Sequence, residues 1–173
     1  MDLKIRRATE EDLPAILDIY NDAILNTTSV YNYEAHTLDM RREWLAQKQK
    51  DNLPVLVAEQ GAAVAGFSTY GPFRAWAAYK YTAEVSVYIS PEHRGKGIAK
   101  LLYPSLIDIA REQQLHVLVA GIDARNEVSI RLHRHFGFTE AGLFKQVGYK
   151  FGQWLDLLFM QLILSTPENP VEG

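Results

Sequence analysis

Two stretches of the chain carry residue types whose spacing can do chemistry. In the first, the carboxylate Glu84 is followed by the loop Arg94-Gly95-Lys96-Gly97-Ile98-Ala99. A loop that feeds small residues into a helix start aims several backbone N–H groups, at the positive end of the helix dipole, at one place. That is a ready site for a phosphate or pyrophosphate. Gly97 lets the backbone approach such a ligand, Ala99 keeps the first helical turn uncrowded, and Lys96 and Lys100 add charge. Glu84 lies on a run with strand alternation. Partly desolvated there, it would have its pKa raised and could act as a general base, directly or through water; the plain alternative is a solvated carboxylate on an exposed strand face. The second stretch holds Asn126 and His133, seven residues apart and so on one helical face about two turns from each other. Asn126 is a leading helix cap. His133 is available as acid, base or orienting group, against the alternative of a core-edge histidine. His135, two positions on, points about 200° away, so the two histidines cannot share a metal, and no metal site is expected.

The elements that position these residues follow from periodicity. Val85, Val87 and Ile89 alternate with Glu84, Ser86 and Tyr88, and Pro91 ends that strand. Ile98, Leu101, Leu102, Leu106 and Ile109 recur at helical spacing, with a kink expected at Pro104 beyond the phosphate-binding turn. Upstream, a strand ends near Ala8. Thr9-Glu10-Glu11-Asp12 starts a helix carrying Leu13, Ile16, Leu17, Tyr20 and Ile24, with Pro14 in its first turn. The loop 26–36 carries Val30, Tyr31 and Tyr33, which either wall a pocket or pack onto the core. Thr37 caps a second helix with Met40, Trp44 and Leu45 inward, and 54–59 with 64–70 form a hairpin. In the loop 73–81, Arg74 offers a planar fork suited to a carboxylate or phosphinate, beside Ala75, Trp76 and Tyr79. The apolar run 115–122 reads as a buried central strand, Gly137 as a C-cap, and 142–148 with 152–164 as a closing antiparallel pair. The order β-α-α-β-β-β-α-β-α-β-β predicts an α/β (mixed α+β) fold. Its central mixed, mostly antiparallel sheet is flanked by helices on both faces. One domain, 1–164, is expected, with a flexible tail at 165–173.

Composition narrows the function. With 173 residues the chain can bury a real core. A net charge of −3 gives no basic field for nucleic acid. With no cysteine, a cysteinyl acyl-enzyme, a disulfide and Cys-ligated zinc are excluded. No apolar h-region opens the chain and no apolar run reaches the roughly 20 residues of a membrane helix, so a cytoplasmic protein with no membrane partner is expected.

The loop pattern met by Arg94, Gly97 and Ala99, the strand before it, Asn126-x-x-Ser129 and the ending Phe136-Gly137-Phe138 resemble the GNAT superfamily of acetyl-CoA-dependent N-acetyltransferases over Ile5 to Leu164. Thr82-Ala83-Glu84, the run from Ser129 to His133 and the run from Gln146 to Asp156 resemble its phosphinothricin and methionine sulfoximine acetyltransferase branch. That branch acetylates the α-amino group of small amino-acid analogues. The resemblance implies acetyl-CoA as co-substrate, with backbone groups of Val87, Tyr88 and Ile89 on the pantetheine. Arg94, Gly95, Lys96, Gly97, Ile98, Ala99 and Lys100 would hold the pyrophosphate, and Asn126 would also contact CoA. It implies Glu84 as general base and His133 where most of the superfamily has a proton-donating Tyr. The amino-acid substrate would lie against Tyr31, Arg74, Ala75, Trp76, Glu84, Val85 and Ser86. A homodimer is expected, with the aromatic-rich segment 146–156 at the dimer contact or the substrate site.

Overall fold

A computed structural model describes residues 3–172. Residues 1, 2 and 173, at the ends of the expected domain and tail, lie outside the described residues. The elements are β1 (Leu3–Arg7), α1 (Leu13–Asn26), α2 (Leu38–Lys50), β2 (Val55–Gln60), β3 (Ala63–Pro72), β4 (Thr82–Ile89), α3 (Ile98–Glu112), β5 (Val117–Asp123), α4 (Glu127–His135), β6 (Thr139–Lys150) and β7 (Gln153–Ile163). The strands form one seven-stranded mixed sheet in the order β1-β2-β3-β4-β5-β7-β6. Most neighbours are antiparallel, and β4 and β5 run parallel.

The chain divides into two compact units. One is the chain up to Tyr70 with Ser86–Leu106; the other is Gly71–Val85 with the chain from Ile107 onward. Each is assembled from separated stretches, which is why no linker is visible in the sequence.

In the first unit, the Asp12 carboxylate accepts from the Thr9 N–H at 2.8 Å and from both terminal nitrogens of Arg6 at 2.7 and 2.8 Å. This closes β1 and opens a short 3₁₀ turn into α1, with Pro14 in the first turn, where its missing N–H costs no bond. Leu13, Ile16, Ile19, Leu45, Val55, Val57 and Phe67 make the core. Thr37 caps α2 as expected, accepting from the Met40 N–H at 3.3 Å. The inner face is shifted, however. Met40 is exposed, and Arg41 is buried instead. Its guanidinium lies 4.3 Å from the Tyr20 ring centre and 4.6 Å from that of Trp44, with Nη2 2.8 Å from His36 Nδ1. Two aromatic faces accept a guanidinium, so a long cation fills the place an apolar side chain was expected to take.

The stripe on α3 is likewise rotated. Ile98, Leu102, Tyr103, Leu106, Ile107 and Ala110 are buried, whereas Leu101 is half-exposed. The helix runs unbroken through Pro104, which is exposed, so water can serve the carbonyl it leaves without an intrahelical partner.

In the second unit, α4 starts at the Asn126 cap, whose Oδ1 accepts from the Ser129 N–H at 3.1 Å. It ends at Gly137, φ +86°, where the Phe138 N–H reaches the His133 carbonyl and the Gly137 N–H that of Arg134. This pair of bonds satisfies carbonyls that a plain helix end would leave open. β6 and β7 are joined through Phe151 and Gly152, both at positive φ. β6 is longer than expected because it continues past a bulge at Gln146, whose N–H donates to Asp156 Oδ1 at 2.9 Å. The terminal segment, expected to be flexible, is tied to the unit. Thr166 Oγ1 donates to the Leu115 carbonyl, and the Val171 N–H donates to Tyr81 Oη at 2.9 Å.

Candidate active site

In the first unit, β4 leads through a 3₁₀ turn at Pro91–His93 into the glycine loop. Gly95 and Gly97 both have φ +77°, and an added Cβ at either would meet nothing within 4 Å. Glycine is therefore required by the left-handed backbone, not by crowding. Among the described residues, no backbone carbonyl accepts from the amides of Gly95, Lys96 or Gly97; the Lys100 N–H then donates to the Gly97 carbonyl at 3.0 Å. With the first amides of α3, this is a run of free donors at a helix start. Arg94 is spoken for by an ion pair with Asp22 on α1, so its side chain anchors the loop.

Val87, Tyr88 and Ile89 occupy the end of β4. The ladder between β4 and β5 covers Thr82 to Glu84, so among the described residues that edge of β4 carries no strand partner from Ser86 onward. Backbone groups on such an edge are available to an extended amide-bearing ligand. On the β3 side the approach is very close. A Cβ on Gly66 would fall 2.6 Å from Ile89 Cδ1 and 2.8 Å from the Tyr88 carbonyl oxygen. The Tyr88 ring sits against Tyr20 and Phe67, at 5.3 and 5.1 Å between centroids. Ser86 and the exposed Tyr31 belong to this unit as well.

The second unit holds Glu84, Arg74, Ala75, Trp76, Val85, Asn126 and His133. Glu84 is half-buried, and loss of water raises its carboxyl pKa while the nearby Arg74 charge opposes the rise. Arg74 is exposed. Its Nη1 donates to the Phe73 carbonyl at 3.0 Å and its guanidinium lies 4.3 Å from the Phe73 ring centre. The Arg74 charge is thus felt at Glu84. Ala75 is exposed beside Arg74, and Trp76 is largely exposed. Val85 faces away from Glu84 and is buried with Ala83, so only its backbone can meet a ligand.

His133 is buried, with its ring edge-on to Phe138 at 5.1 Å. Its Nδ1 lies 2.7 Å from the Ser129 carbonyl, which places the proton on Nδ1 and makes Nε2 the acceptor. Burial lowers its pKa below the usual histidine value; the Ser129 bond only partly offsets this. A neutral imidazole in this tautomer is an acceptor or orienting group at neutral pH, and a poor proton donor. Asn126 spends its carbonyl oxygen on the cap, leaving its amide nitrogen to donate to a ligand.

Sequence reasoning missed Gly66, Asp22 and Phe73. Gly66 did leave a signal, a glycine inside a strand, which marks a bulge or a close approach. Among the described residues no group of three His, Asp or Glu side chains is placed to hold a metal ion, and no helix is long and apolar enough to cross a membrane.

Residues 5–159 match the family described as the acetyltransferase (GNAT) domain. The chain is 44% identical to an L-methionine sulfoximine/L-methionine sulfone acetyltransferase of Salmonella typhimurium, over 97% of this chain and 98% of that one. Among solved structures it resembles a ribosomal-protein-alanine N-acetyltransferase from Brucella melitensis, with a TM-score of 0.92 at 52% identity over 93% of this chain and 99% of that one. It also resembles a phosphinothricin acetyltransferase from Sinorhizobium meliloti in complex with acetyl-CoA, with a TM-score of 0.94 at 34% identity over 100% of this chain and 95% of that one.

Proposed function

The chain belongs to the GNAT acetyltransferase family, and from that premise we propose that it transfers the acetyl group of acetyl-CoA directly to the α-amino group of small amino-acid analogues such as phosphinothricin and methionine sulfoximine or sulfone. The products are the N-acetyl compound and CoA, and the role is detoxification and herbicide resistance in the cytoplasm. The observation that carries the reading is the 44% identity, over 97% of the chain, to an L-methionine sulfoximine/L-methionine sulfone acetyltransferase; a half-buried Glu84 that feels the Arg74 charge supports it. An amino acid brings an ammonium that must lose a proton and a carboxylate that needs a cation, and these two side chains match them.

In this reading the free amides from Gly95 to Ala99 hold the pyrophosphate, with Lys96 and Lys100 adding charge, and Arg94 holds the loop in place. Val87, Tyr88 and Ile89 offer backbone groups to the pantetheine, and Asn126 donates to CoA through Nδ2. The Val87 amide polarises the thioester carbonyl. Glu84 takes the ammonium proton, a task worth about 10²–10⁴ in rate. The amine attacks the thioester carbonyl, the C–S bond breaks, and the second N–H proton lost by the new amide passes through solvent to the leaving thiolate, giving CoA. His133, neutral, orients through an acceptor nitrogen and does not supply the thiolate proton. Arg74 takes the substrate carboxylate or phosphinate beside Ala75 and Trp76, with Tyr31, Ser86 and the Val85 backbone completing the substrate contacts. No metal takes part.

The working form is a homodimer that binds neither nucleic acid nor membrane. Leu143, Phe144, Val147, Tyr149, Phe151 and Trp154 are all about half-exposed on the β6–β7 hairpin, and such a patch favours a protein partner.

The similarity to a ribosomal-protein-alanine N-acetyltransferase favours one second reading, acetylation of a peptide N-terminus. Thiol release from acetyl-CoA with a panel of amino-acid analogues, amines and alanine-initiated peptides separates the two. Release with phosphinothricin or methionine sulfoximine is expected; release with peptides alone would replace the first reading with the second.

A further inference from the structure

In the first unit, side chains from α1, α2, β3 and β4 touch one another in a closed ring. The Arg41 guanidinium on α2 lies 4.3 Å from the Tyr20 ring centre on α1. Tyr20 meets Tyr88 of β4 edge-on at 5.3 Å, Tyr88 meets Phe67 of β3 at 5.1 Å, and Phe67 meets Trp44 at 6.2 Å. Trp44 returns to Arg41 at 4.6 Å. Arg41 supplies the positive charge of this circle, and the other members are aromatic. It is 5% exposed, its Nε has no hydrogen-bond partner, and no carboxylate pairs with it among the described residues. A buried charge held in this way depends on the rings around it, and they on it.

Arg41 Nη2 lies 2.8 Å from His36 Nδ1. A guanidinium has donors only, so Nδ1 carries the lone pair and His36 is neutral. The imidazole packs edge-on to Tyr20 at 5.0 Å. Its backbone is fastened to α1: the His36 N–H donates to Asn21 Oδ1 at 2.8 Å, and Asn21 Nδ2 donates to the His36 carbonyl at 3.0 Å. Burial and then the Arg41 charge lower the His36 pKa. The side chains of Asn21 and Asn32 beside it are uncharged, and Tyr20 is a neutral phenol. Lys48 Nζ, 5.9 Å from the Trp44 ring centre and charged below its pKa of about 8, adds further positive charge. None of these groups offsets a charged imidazole. Protonating His36 would set two cations in contact, and the guanidinium would have to leave Nδ1.

Of Val87, Tyr88 and Ile89, Tyr88 is the residue whose side chain joins this ring; on a strand its two neighbours point to the other face. We infer that Arg41 is a positioning residue for acetyl-CoA: its guanidinium steadies Tyr20 and, through it, the Tyr88 ring, and so the β4 edge that would pair with the pantetheine, as long as His36 is neutral. The inference rests on the acetyl-transfer reading above. It adds a residue on α2 that touches no substrate, and it makes CoA binding weaken in acid independently of Glu84.

Calorimetric titration of the full chain with CoA tests this. Arg41→Met keeps an unbranched side chain and removes the buried charge, a change that is often neutral or stabilising for a fold. It is expected to weaken CoA binding by about 2- to 30-fold at neutral pH, the range of a cation–π contact, while Tm equals or exceeds that of wild type and the acceptor KM is unchanged. His36→Asn keeps at Oδ1 an acceptor for Arg41 Nη2 and removes the charging. Its CoA affinity should match wild type at neutral pH and exceed it as pH falls below about 6.5. The glycine loop and CoA itself titrate alike in both proteins, so the comparison isolates His36. If Arg41→Met melts well below wild type, His36→Asn decides. Wild-type CoA affinity in a stable Arg41→Met, or one pH profile shared by His36→Asn and wild type, would overturn the inference. A wild type that binds no CoA would instead overturn the acetyl-transfer reading beneath it.

Discussion

The Arg94 guanidinium forms an ion pair with the Asp22 carboxylate, joining the first residue of the glycine loop to a helix seventy-two positions earlier in the chain. Asp22 is mostly buried at this contact and Arg94 about half so. The loop that leads into α3 is thus held in shape from α1. The Arg94 side chain fixes the entry to the loop together with the backbone bonds from His93 to Ser90 and from Arg94 to Pro91, and the amides beyond it stay free.

Asp22→Asn should loosen that hold. Part-exposed ion pairs are worth about 0.2–1 kcal/mol, so a rise of roughly 1.5- to 5-fold in the KM for acetyl-CoA is expected, with kcat nearly unchanged. Steady-state kinetics at rising salt check it. The difference from wild type should shrink as salt screens the pair, and a salt-independent difference would speak against an electrostatic role.

Gly97 tests backbone against crowding. At φ +77° with open space around its α-carbon, the cost of a side chain is conformational. Gly97→Asn, which tolerates left-handed backbone, should keep most of its acetyl-CoA affinity, whereas Gly97→Val should lose about 1–2 kcal/mol, roughly 5- to 30-fold. Calorimetric titration with CoA checks the order; equal losses in the two variants would point to contact with the side chain.

Glu84 couples activity to stability in opposite directions. Its folded pKa lies above the ordinary carboxylate value, so the fold favours the protonated form. Its contribution to stability is then present at low pH and is lost as pH rises through the folded pKa. Glu84→Gln should therefore raise Tm at pH 7 and leave it unchanged near pH 3, while lowering kcat/KM by about 10²–10⁴. Arg74→Ala removes the charge that holds the pKa down, so the acid limb of kcat/KM should move to higher pH and the acceptor KM should rise. A limb that moves down would place Arg74 elsewhere than beside Glu84.

His133 has the reverse sign. Burial holds its pKa below the usual value, so the unfolded chain binds a proton that the folded chain refuses. Stability is lost as pH falls below the ordinary histidine value of about 6.5. His133→Asn keeps a donor for the Ser129 carbonyl and removes the titration. Its Tm should therefore vary less with pH across that window, though not be flat, because His36 is shifted in the same direction. An unchanged slope would mean that His133 charges freely in the fold.

Much of the site could be read before any coordinates. Glu84 on a strand, the free amides from Gly95 onward and the Asn126 cap are local facts, expressed within a few residues by alternation, glycine placement and cap chemistry. The misreadings share a cause. Met40 and Leu101 were placed inward on helical periodicity alone, but an apolar stripe about 100° wide leaves room for a one-residue rotation. Which neighbour goes in depends on what faces it. Tyr20 and Trp44 offered their rings to Arg41, and on α3 Tyr103 is buried while Leu101 is half-exposed.

By itself, the sequence determined the order of elements, the glycine loop and the strand that carries Glu84, because hydrogen-bonded periodicity and glycine backbone freedom act over short runs of chain. Only the tertiary structure decided that Asp22 anchors Arg94, that Gly66 lets β3 meet Tyr88 and Ile89, and that loss of water raises the Glu84 carboxyl pKa. Each depends on distance or desolvation between residues far apart in sequence, and those quantities exist only once the strands have found their register and water has left.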